Sequence, residues 1–257
     1  MDDAFRAHYE LGLEEGRLFR EDGTPRLELR RTLELLERFL PPPPADVLDV
    51  GGGPGVYSRI LGARGYRMRL VDVLPLHVEQ ARAHGLDARV GDARSLDDPD
   101  DAYDAVLLLG PLYHLIERAD RVRALGEARR VAKDGAPVVG AAISRYTSLL
   151  DGLVQGFVER EFQEIVERDL AGGPHLNPYP SERPEWFTTA YFHHPDDLAA
   201  EAKEAGLVNV AVFGVEGPGW MFPDADDEIR LRAARLLETD VAMLAVSGHL
   251  LVIGFAA

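Results

Sequence analysis

The residues most suited to binding a ligand lie between a predicted strand and a predicted helix, in the glycine-rich stretch Asp49 to Gly55 (DVGGGPG). Glycines in such a turn let the backbone approach a ligand closely, and the helix that follows offers N–H groups without intrahelical partners. Asp72 ends the next predicted strand, about 20 residues further along, where a carboxylate can accept hydrogen bonds from both hydroxyls of a ribose. Together the two features predict a site for a cofactor that contains adenosine.

The spacing of the glycines distinguishes between classes of adenosine cofactor. The dinucleotide fingerprint G-x-G-x-x-G requires a glycine where Val56 stands, and its two shifted registers fail at Pro54 and at Ser58. What remains is a G-x-G-x-G loop that is preceded by an acid, Asp49. A nicotinamide-dependent oxidoreductase is therefore the weaker alternative for this chain.

These motifs belong to a chain that alternates β-rich and helical segments, the order expected of βαβ units. Several of the β-rich runs are apolar on both faces, which suits strands inside a parallel sheet. We expect strands at 47–50, 66–73, 87–93, 105–110, 137–143, 208–215 and 250–255. We expect helices at 27–40, 76–85, 121–133, 148–170 and 195–205. The pattern predicts an α/β fold with a mainly parallel sheet flanked by helices.

The chain is predicted to consist of an extension and one larger domain. The prolines at 41–44 cannot continue a helix or a sheet ladder, so they separate an N-terminal helical extension, residues 1–40, from a domain at 41–257. The βα order stops at 145–191, where we expect a helical lid insertion, and a smaller excursion with another helix lies at 217–248.

Four motifs follow one another in register between Asp46 and Ser144: DVGGGPG, the strand LVDV with Asp72, VGDA ending at Ala93, and AVLLLGPLYHL. Together they resemble the motifs of class I S-adenosylmethionine-dependent methyltransferases. The resemblance implies a Rossmann-like methyltransferase fold, S-adenosyl-L-methionine as the cofactor, and direct transfer of its methyl group to a small organic molecule. An S-adenosylmethionine-binding protein that does not methylate, such as a sensor or a non-methylating enzyme, is the main alternative.

The resemblance also implies which residues contact the cofactor. They are Asp49, Gly51, Gly52, Gly53, Gly55, Asp72, Val73, Asp92, Ala93, Leu109 and Gly110. The glycine loop would face the methionine part, with Asp49 near its ammonium group, and Asp72 would hold the ribose. Asp92 and Ala93 would flank the adenine, and Leu109 would lie beneath the reactive methyl group.

Three residues of the N-terminal extension, Tyr9, Arg17 and Arg20, are further candidates, because extensions in similar enzymes often fold across the cofactor. An arginine there could hold the methionine carboxylate. The alternative is that both arginines are solvated charges on a helix.

A loop that carries Tyr113 and His114 follows the fourth predicted strand, at the edge of the sheet where open α/β folds bind ligands. His114 is the candidate general base, because an unperturbed histidine titrates close to operating pH. Tyr113 would line the same wall.

Methyltransferases that act on base amino groups resemble one another in a D/N-P-P-Y-like motif here, and Gly110 has no side chain to accept from an amine. Nucleic-acid bases are therefore disfavoured as acceptors.

The insertion is rich in aromatic and imidazole side chains, as is typical of a lid. These are Phe157, Phe162, His175, Tyr179, Trp186, Phe187, Tyr191, Phe192, His193 and His194. We expect His175, Trp186, Tyr191 and His193 to contact the acceptor, and we expect the insertion to close over it together with the Trp220 segment. The histidines lack the i, i+4 or HExxH spacing of metal ligands, so no metal is predicted.

Composition limits the partners and the location. The chain has 28 basic and 44 acidic residues, and a net charge of −16 repels phosphate backbones and anionic headgroups. It has no cysteine, which excludes disulfides and thiolate metal sites. The first residues are acidic, and no apolar run approaches the ~18 residues of a membrane span. We expect a cytoplasmic enzyme with a small-molecule acceptor and with no nucleic-acid or membrane partner. The sequence leaves open whether the enzyme forms a homo-oligomer and which atom of the acceptor is methylated.

Overall fold

Seven strands form one sheet in the part of the chain that the structure describes, residues 9, 14–158, 160–180 and 182–257 of a computed structural model. The strands are β1 (Asp46–Val50), β2 (Arg67–Asp72), β3 (Asp87–Val90), β4 (Ala105–Leu108), β5 (Pro137–Ile143), β6 (Val208–Gly214) and β7 (His249–Phe255). Their order across the sheet is β3-β2-β1-β4-β5-β7-β6. Strand β1 pairs in parallel with β2 and β4, and the pairs β2–β3 and β4–β5 are also parallel.

The helices follow the strands in the predicted βα order. They are α1 (Glu14–Arg17), α2 (Leu27–Phe39), α3 (Val56–Ala63), α4 (Pro75–Ala83), α5 (Arg118–Val131), α6 (Thr147–Gln155), α7 (Arg160–Leu170), α8 (Pro195–Glu204) and α9 (Asp227–Leu237). Among the described residues, no helix has both the length and the apolar character needed to cross a bilayer. The predicted α/β fold, with a mainly parallel sheet flanked by helices, is confirmed.

The prediction of one helix at 148–170 is wrong, because the structure has two helices there, α6 and α7. Helix α6 ends at Gly156, which has a left-handed φ of 78°. The N–H groups of Gly156 and Phe157 both donate to the carbonyl of Gly152 and so close the last turn. Glycine adopts this conformation without a Cβ clash, and it therefore ends the helix.

The chain divides into two compact units. The first, which we call the glycine-loop unit, comprises Glu34–Ala141, Leu198–Ala211 and Val252–Ala257. The second, the insertion unit, comprises the described residues up to Leu33, Ala142–Asp197 and Val212–Leu251. Most of the predicted extension and all of the predicted insertion and excursion fall in the insertion unit. Residues 1–8 and 10–13 of the extension lie outside the described residues.

The centre of the glycine-loop unit is formed by β1 and β4. Val47 and Leu48 of β1 and all four residues of β4, Ala105–Leu108, have no exposed surface. The chain runs outward from β1 to β2 and β3, and then crosses to β4 on the other side of β1. In open α/β sheets, ligands bind outside the carboxyl ends of the strands where the strand order reverses. The loops after β1 and β4 are therefore where this fold places a ligand site.

Candidate active site

The loops after β1 and β4 touch through their backbones. Gly51 has a φ of 68°, and a Cβ added to it would lie 2.6 Å from Cγ of Pro111. A Cβ added to Gly110 would lie 2.7 Å from the carbonyl oxygen of Gly51. A side chain at either glycine would overlap with these atoms and displace one of the loops. Two of the predicted cofactor contacts, Gly51 and Gly110, are thus brought together at this end of the sheet.

Asp72 ties the glycine loop to the end of β2. Its Oδ2 accepts a hydrogen bond from the N–H of Gly53 at 2.9 Å, and its Oδ1 accepts one from the N–H of Leu74 at 2.8 Å. Nδ1 of His77 lies 3.3 Å from Oδ1, and the side chain is buried. A carboxylate has about four acceptor positions, so Asp72 keeps capacity for the ribose hydroxyls that the sequence predicts. Asp72 therefore shapes the loop as well as being a candidate ligand contact.

Asp49 is buried at the end of β1, with one carboxylate oxygen lacking a hydrogen bond. The hydroxyl of Ser58 donates to Oδ2 at 2.6 Å, whereas Oδ1 has no partner among the described residues. Burial raises the pKa of this carboxyl to about 6; the hydrogen bond from Ser58 opposes the rise and the negative charge of Asp72 adds to it. A buried anionic oxygen without a partner is costly, and a cationic ligand would relieve that cost.

The predicted adenine contacts lie after β3. Asp92 accepts hydrogen bonds from the N–H and the guanidinium of Arg94, which hold the pKa of its carboxyl below the ordinary value. Arg94 also donates to Asp120 at 2.7 Å. Ala93 is buried beside this pair. The Asp92 carboxylate thus binds within its own loop, and its contact with adenine stays a prediction. Val73 and Leu109 are half-buried just after β2 and β4.

Tyr113 and His114 lie together in a turn after β4. The N–H of His114 donates to the carbonyl of Pro111 at 3.0 Å, and the centroids of the two aromatic rings are 4.5 Å apart. Tyr113 is buried and His114 half-buried. The turn follows Gly110 directly, so the candidate base belongs to the same loop that touches Gly51.

Sequence reasoning missed an ion pair that fixes this loop. Arg121 of α5 donates to the carbonyls of Leu115 and Ile116 at 2.9 and 2.6 Å, and it pairs with Glu201 of α8 at 2.7 Å. Both charged side chains are at most 2% exposed. In the sequence they look like ordinary charges on amphipathic helices, and nothing in their spacing indicates burial. Breaking such a buried pair is costly, which makes it a rigid support for the loop.

In the insertion unit, His175 and Trp186 contribute to interior packing, and their contact with the acceptor stays a prediction without support from this geometry. Nδ1 of His175 lies 2.8 Å from Oδ2 of Asp169, and Nε2 lies 2.7 Å from the carbonyl of Trp186. The imidazole also stacks on Phe192 with the ring centroids 4.5 Å apart. Trp186 is buried in a cluster with Phe162. Both imidazole nitrogens have partners within this unit, so neither is directed at a substrate.

Tyr191 and His193 lie on the segment that returns to β5. The N–H of His193 donates to the carbonyl of Ile143 at 2.8 Å, and the imidazole has no exposed surface. The hydroxyl of Tyr191 is 3.4 Å from Nη2 of Arg145, which pairs with Asp197 at 2.6 Å. Tyr191 is half-buried, so it keeps accessible surface for the acceptor contact that the sequence predicts.

The two candidate arginines of the N-terminal extension are held by carboxylates of the chain. The guanidinium of Arg17 binds both oxygens of Glu28 at 2.7 and 3.0 Å, and that of Arg20 binds both oxygens of Asp227 at 2.8 and 2.7 Å. Tyr9 is buried. A cofactor carboxylate would have to compete with these pairs, so the expectation that Arg17 holds it gains no support from this geometry.

A partly buried cluster of charged groups joins Glu28 and Glu216 to His249, the first residue of β7. Nδ1 of His249 is 2.6 Å from Glu216 and 3.8 Å from Glu28. Burial lowers the pKa of His249, but the two carboxylates outweigh it and raise the pKa to about 9. Arg17 also pairs with Glu28, so the cluster contains two cations, Arg17 and His249, and two carboxylates, Glu28 and Glu216. The cluster is therefore charge-balanced as an ion-pair network.

The comparisons with known proteins agree with the fold. Residues 47–135 match the family model of a methyltransferase domain. The ubiquinone biosynthesis O-methyltransferase of Bordetella bronchiseptica is 31% identical over 178 residues, which cover 66% of this chain and 65% of that relative. The chain thus matches slightly less than two thirds of the length of this curated relative.

Solved structures share the architecture at low identity. A Thermotoga maritima S-adenosylmethionine-dependent methyltransferase has a TM-score of 0.57 and 16% identity, and the match covers 98% of this chain and 97% of that chain. A Haemonchus contortus phosphoethanolamine N-methyltransferase in complex with S-adenosyl-L-methionine has a TM-score of 0.56 and 17% identity, covering 88% and 52%. The resemblance seen in the four motifs is confirmed: the chain contains a methyltransferase domain and has the fold of S-adenosylmethionine-dependent methyltransferases.

Proposed function

We propose that the protein is an enzyme that transfers the methyl group of S-adenosyl-L-methionine to a small organic molecule. The observation that carries the proposal is the buried oxygen Oδ1 of Asp49, which has no partner in the described structure and belongs to the residue two positions before Gly51 of the glycine loop. The ammonium group of the cofactor is a cation that would satisfy this oxygen. The loop after β1 has no space for a side chain at Gly51, because Pro111 of the β4 loop packs against it.

The residues of the glycine-loop unit would hold the cofactor and orient the acceptor. When bound, S-adenosyl-L-methionine supplies an electrophilic methyl group on a sulfonium. Asp49 would bind the ammonium group, and Asp72 would accept from the ribose hydroxyls. Methyl transfer requires the acceptor in line with the methyl group, and holding that geometry can supply most of the acceleration. The rigid support of the β4 loop by Arg121 serves that positioning.

A hydroxyl oxygen is the proposed acceptor atom. The curated relative is named an O-methyltransferase, and an imidazole on the β4 loop can take the proton that a hydroxyl loses as it is methylated. His114 is the group that we propose for this role, with Tyr113 as part of the wall. The cytoplasmic location, the lack of nucleic-acid and membrane partners, and acceptor contacts from the insertion stay predictions.

The cofactor is tested by titrating the purified protein with S-adenosylhomocysteine in a calorimeter, and by mass spectrometry of small molecules retained through purification. We expect one molecule bound per chain. A titration with reduced nicotinamide cofactor is expected to give no binding. If S-adenosylhomocysteine failed to bind and the nicotinamide bound, the oxidoreductase alternative would replace this proposal.

Replacing Asp72 tests the ribose contact. The variant Asp72→Asn keeps one acceptor oxygen for the loop, whereas Asp72→Ala would leave the N–H groups of Gly53 and Leu74 without their partner. We expect Asp72→Asn to weaken S-adenosylhomocysteine binding about tenfold, the usual effect of removing a charge-assisted hydrogen bond. The control is Asp87→Asn at the opposite end of the sheet, an exposed carboxylate whose loss should change affinity less than threefold. Equal affinities of the two variants would remove Asp72 from the site.

Replacing His114 tests the proposed base. We expect His114→Gln to lower turnover at least tenfold, because the hydroxyl proton then has no positioned acceptor, while S-adenosylhomocysteine affinity stays within about threefold. The exposed histidine at the end of α4, His84→Gln, serves as the control and should leave both quantities unchanged. Loss of cofactor binding with normal turnover at saturation would reverse the assignment.

A further inference from the structure

Ser58 is a buried hydroxyl in the first turn of α3, directly after the glycine loop. It has no exposed surface, and its Oγ donates to Oδ2 of Asp49 at 2.6 Å. This position is also where one register of the dinucleotide fingerprint would require a glycine. The proposed cofactor contacts and the proposed base do not involve this hydroxyl.

The hydrogen bond makes the two oxygens of Asp49 unequal. Oδ2 is held by Ser58, and Oδ1 has no partner among the described residues. A serine hydroxyl can turn to donate to a nearby oxygen, and here it holds Oδ2 of Asp49. Removing the hydroxyl would therefore remove this restraint on the carboxylate. Without Ser58, neither oxygen would have a hydrogen bond from the described part of the chain.

The charge that acts on Asp49 from the neighbouring strand is the carboxylate of Asp72. Asp72 itself accepts from two backbone N–H groups, and His77 lies beside it at 3.3 Å. Burial and Asp72 both favour the neutral form of Asp49, and the hydrogen bond from Ser58 favours the anion. Ser58 is thus the group that opposes protonation of Asp49 near neutral pH.

We propose that Ser58 is a positioning residue for cofactor binding, which holds Asp49 Oδ2 so that Oδ1 is the oxygen presented to the ammonium group of the cofactor. The inference rests on the proposed binding of S-adenosylmethionine at the glycine loop. It assigns to Ser58 an effect on the cofactor that passes entirely through Asp49. Removing the hydroxyl should therefore weaken binding only when Asp49 can ionise.

The consequence is a change in both affinity and pH dependence. The variant Ser58→Ala keeps nearly the same volume and removes the hydroxyl. We expect it to bind S-adenosylhomocysteine about tenfold more weakly near pH 7, because a hydrogen bond to a charged group is lost and Asp49 protonates at higher pH. The pH at which binding begins to weaken should move upward relative to the wild type. A purely structural role for Ser58 would lower thermal stability without moving that pH.

The decisive experiment is a double-mutant cycle measured by calorimetry with S-adenosylhomocysteine across pH. The proteins are the wild type, Ser58→Ala, Asp49→Asn and the double variant, with Ser58→Thr as the rescue that keeps a hydroxyl. We expect Ser58→Ala to cost about tenfold in the wild-type background and less than threefold in the Asp49→Asn background. Ser58→Thr should restore most of the lost affinity. If this variant does not fold, the four proteins of the cycle are sufficient to test the inference.

Two results would overturn the inference while leaving the cofactor proposal intact. One is wild-type affinity and an unmoved pH profile for Ser58→Ala. The other is an equal loss in the presence and absence of the Asp49 carboxylate. Failure of the wild type to bind S-adenosylhomocysteine would instead reject the cofactor proposal, and the role of Ser58 with it.

Discussion

We expect Gly110→Ala to bind S-adenosylhomocysteine on the order of 100-fold more weakly than the wild type. The added Cβ would lie 2.7 Å from the carbonyl oxygen of Gly51, a backbone atom that cannot turn aside as a side chain can. Either the β1 loop or the β4 loop must shift, and overpacking of this kind costs about 1–3 kcal/mol. Because each 1.4 kcal/mol corresponds to tenfold in affinity, the upper part of that range reaches about 100-fold. Calorimetry measures the loss.

A matched glycine in the same unit provides the control. Gly126 lies inside α5, and a Cβ added there would meet no atom within 4 Å. Gly126→Ala should keep wild-type affinity and gain about 0.5–1 kcal/mol of stability, since alanine favours a helix interior. If Gly110→Ala were folded by circular dichroism and bound as tightly as Gly126→Ala, the contact between the two loops would have no part in the ligand site.

The second large effect is expected from Asp49→Asn. Removing the charge that faces the ammonium group should weaken S-adenosylhomocysteine binding by roughly 50-fold at alkaline pH, within the range for charged hydrogen bonds. In the wild type, the carboxyl with a pKa of about 6 must ionise to bind the cation. Wild-type affinity should therefore be constant above pH 7 and fall about tenfold by pH 5. The affinity of the variant should depend much less on pH. Parallel pH profiles for the wild type and the variant would show that Asp49 does not bind the cation.

The same group affects the stability of the unliganded protein. A carboxyl whose pKa is raised on folding binds its proton more tightly in the folded state, so the stabilisation is present at low pH and is lost as pH rises from the unfolded value toward about 6. The rise of the pKa from its ordinary value to about 6 corresponds to about 3 kcal/mol of unfolding free energy, at 1.36 kcal/mol per pH unit. Asp49→Asn should remove this contribution to the pH dependence of the unfolding free energy. Denaturant titrations at several pH values would reveal it.

The fold could be predicted from local patterns because its strands are apolar on both faces and its glycine loop has a specific spacing. Asp49 and Gly110 are predicted cofactor contacts because of the family resemblance, and Asp72 because it ends a strand; parallel strands bring such ends to one edge. The helix break at Gly156 was missed, since a glycine inside an apolar pattern does not by itself reveal a left-handed conformation.

Some contacts escaped prediction because they join residues that local sequence patterns do not link. Arg121 reaches Glu201 across 80 residues, and such a pair has no local signature. His175 and Trp186 look like substrate contacts in the sequence because aromatic composition cannot distinguish a lid surface from its own interior. In the structure both side chains are packed inside the insertion unit. Ser58 lies nine positions from Asp49, and only the turn of the glycine loop brings the hydroxyl to the carboxylate.

Methyl transfer itself is tested most directly by incubating the protein with S-adenosylmethionine that carries a labelled methyl group, together with a panel of small hydroxylated molecules. We predict that at least one acceptor gains one labelled methyl group, that S-adenosylhomocysteine appears in equal amount, and that Asp49→Asn and Gly110→Ala each reduce both products. If the protein bound the cofactor tightly but transferred no label to any hydroxyl, amine or carbon acceptor, it would be an S-adenosylmethionine-binding protein that does not methylate.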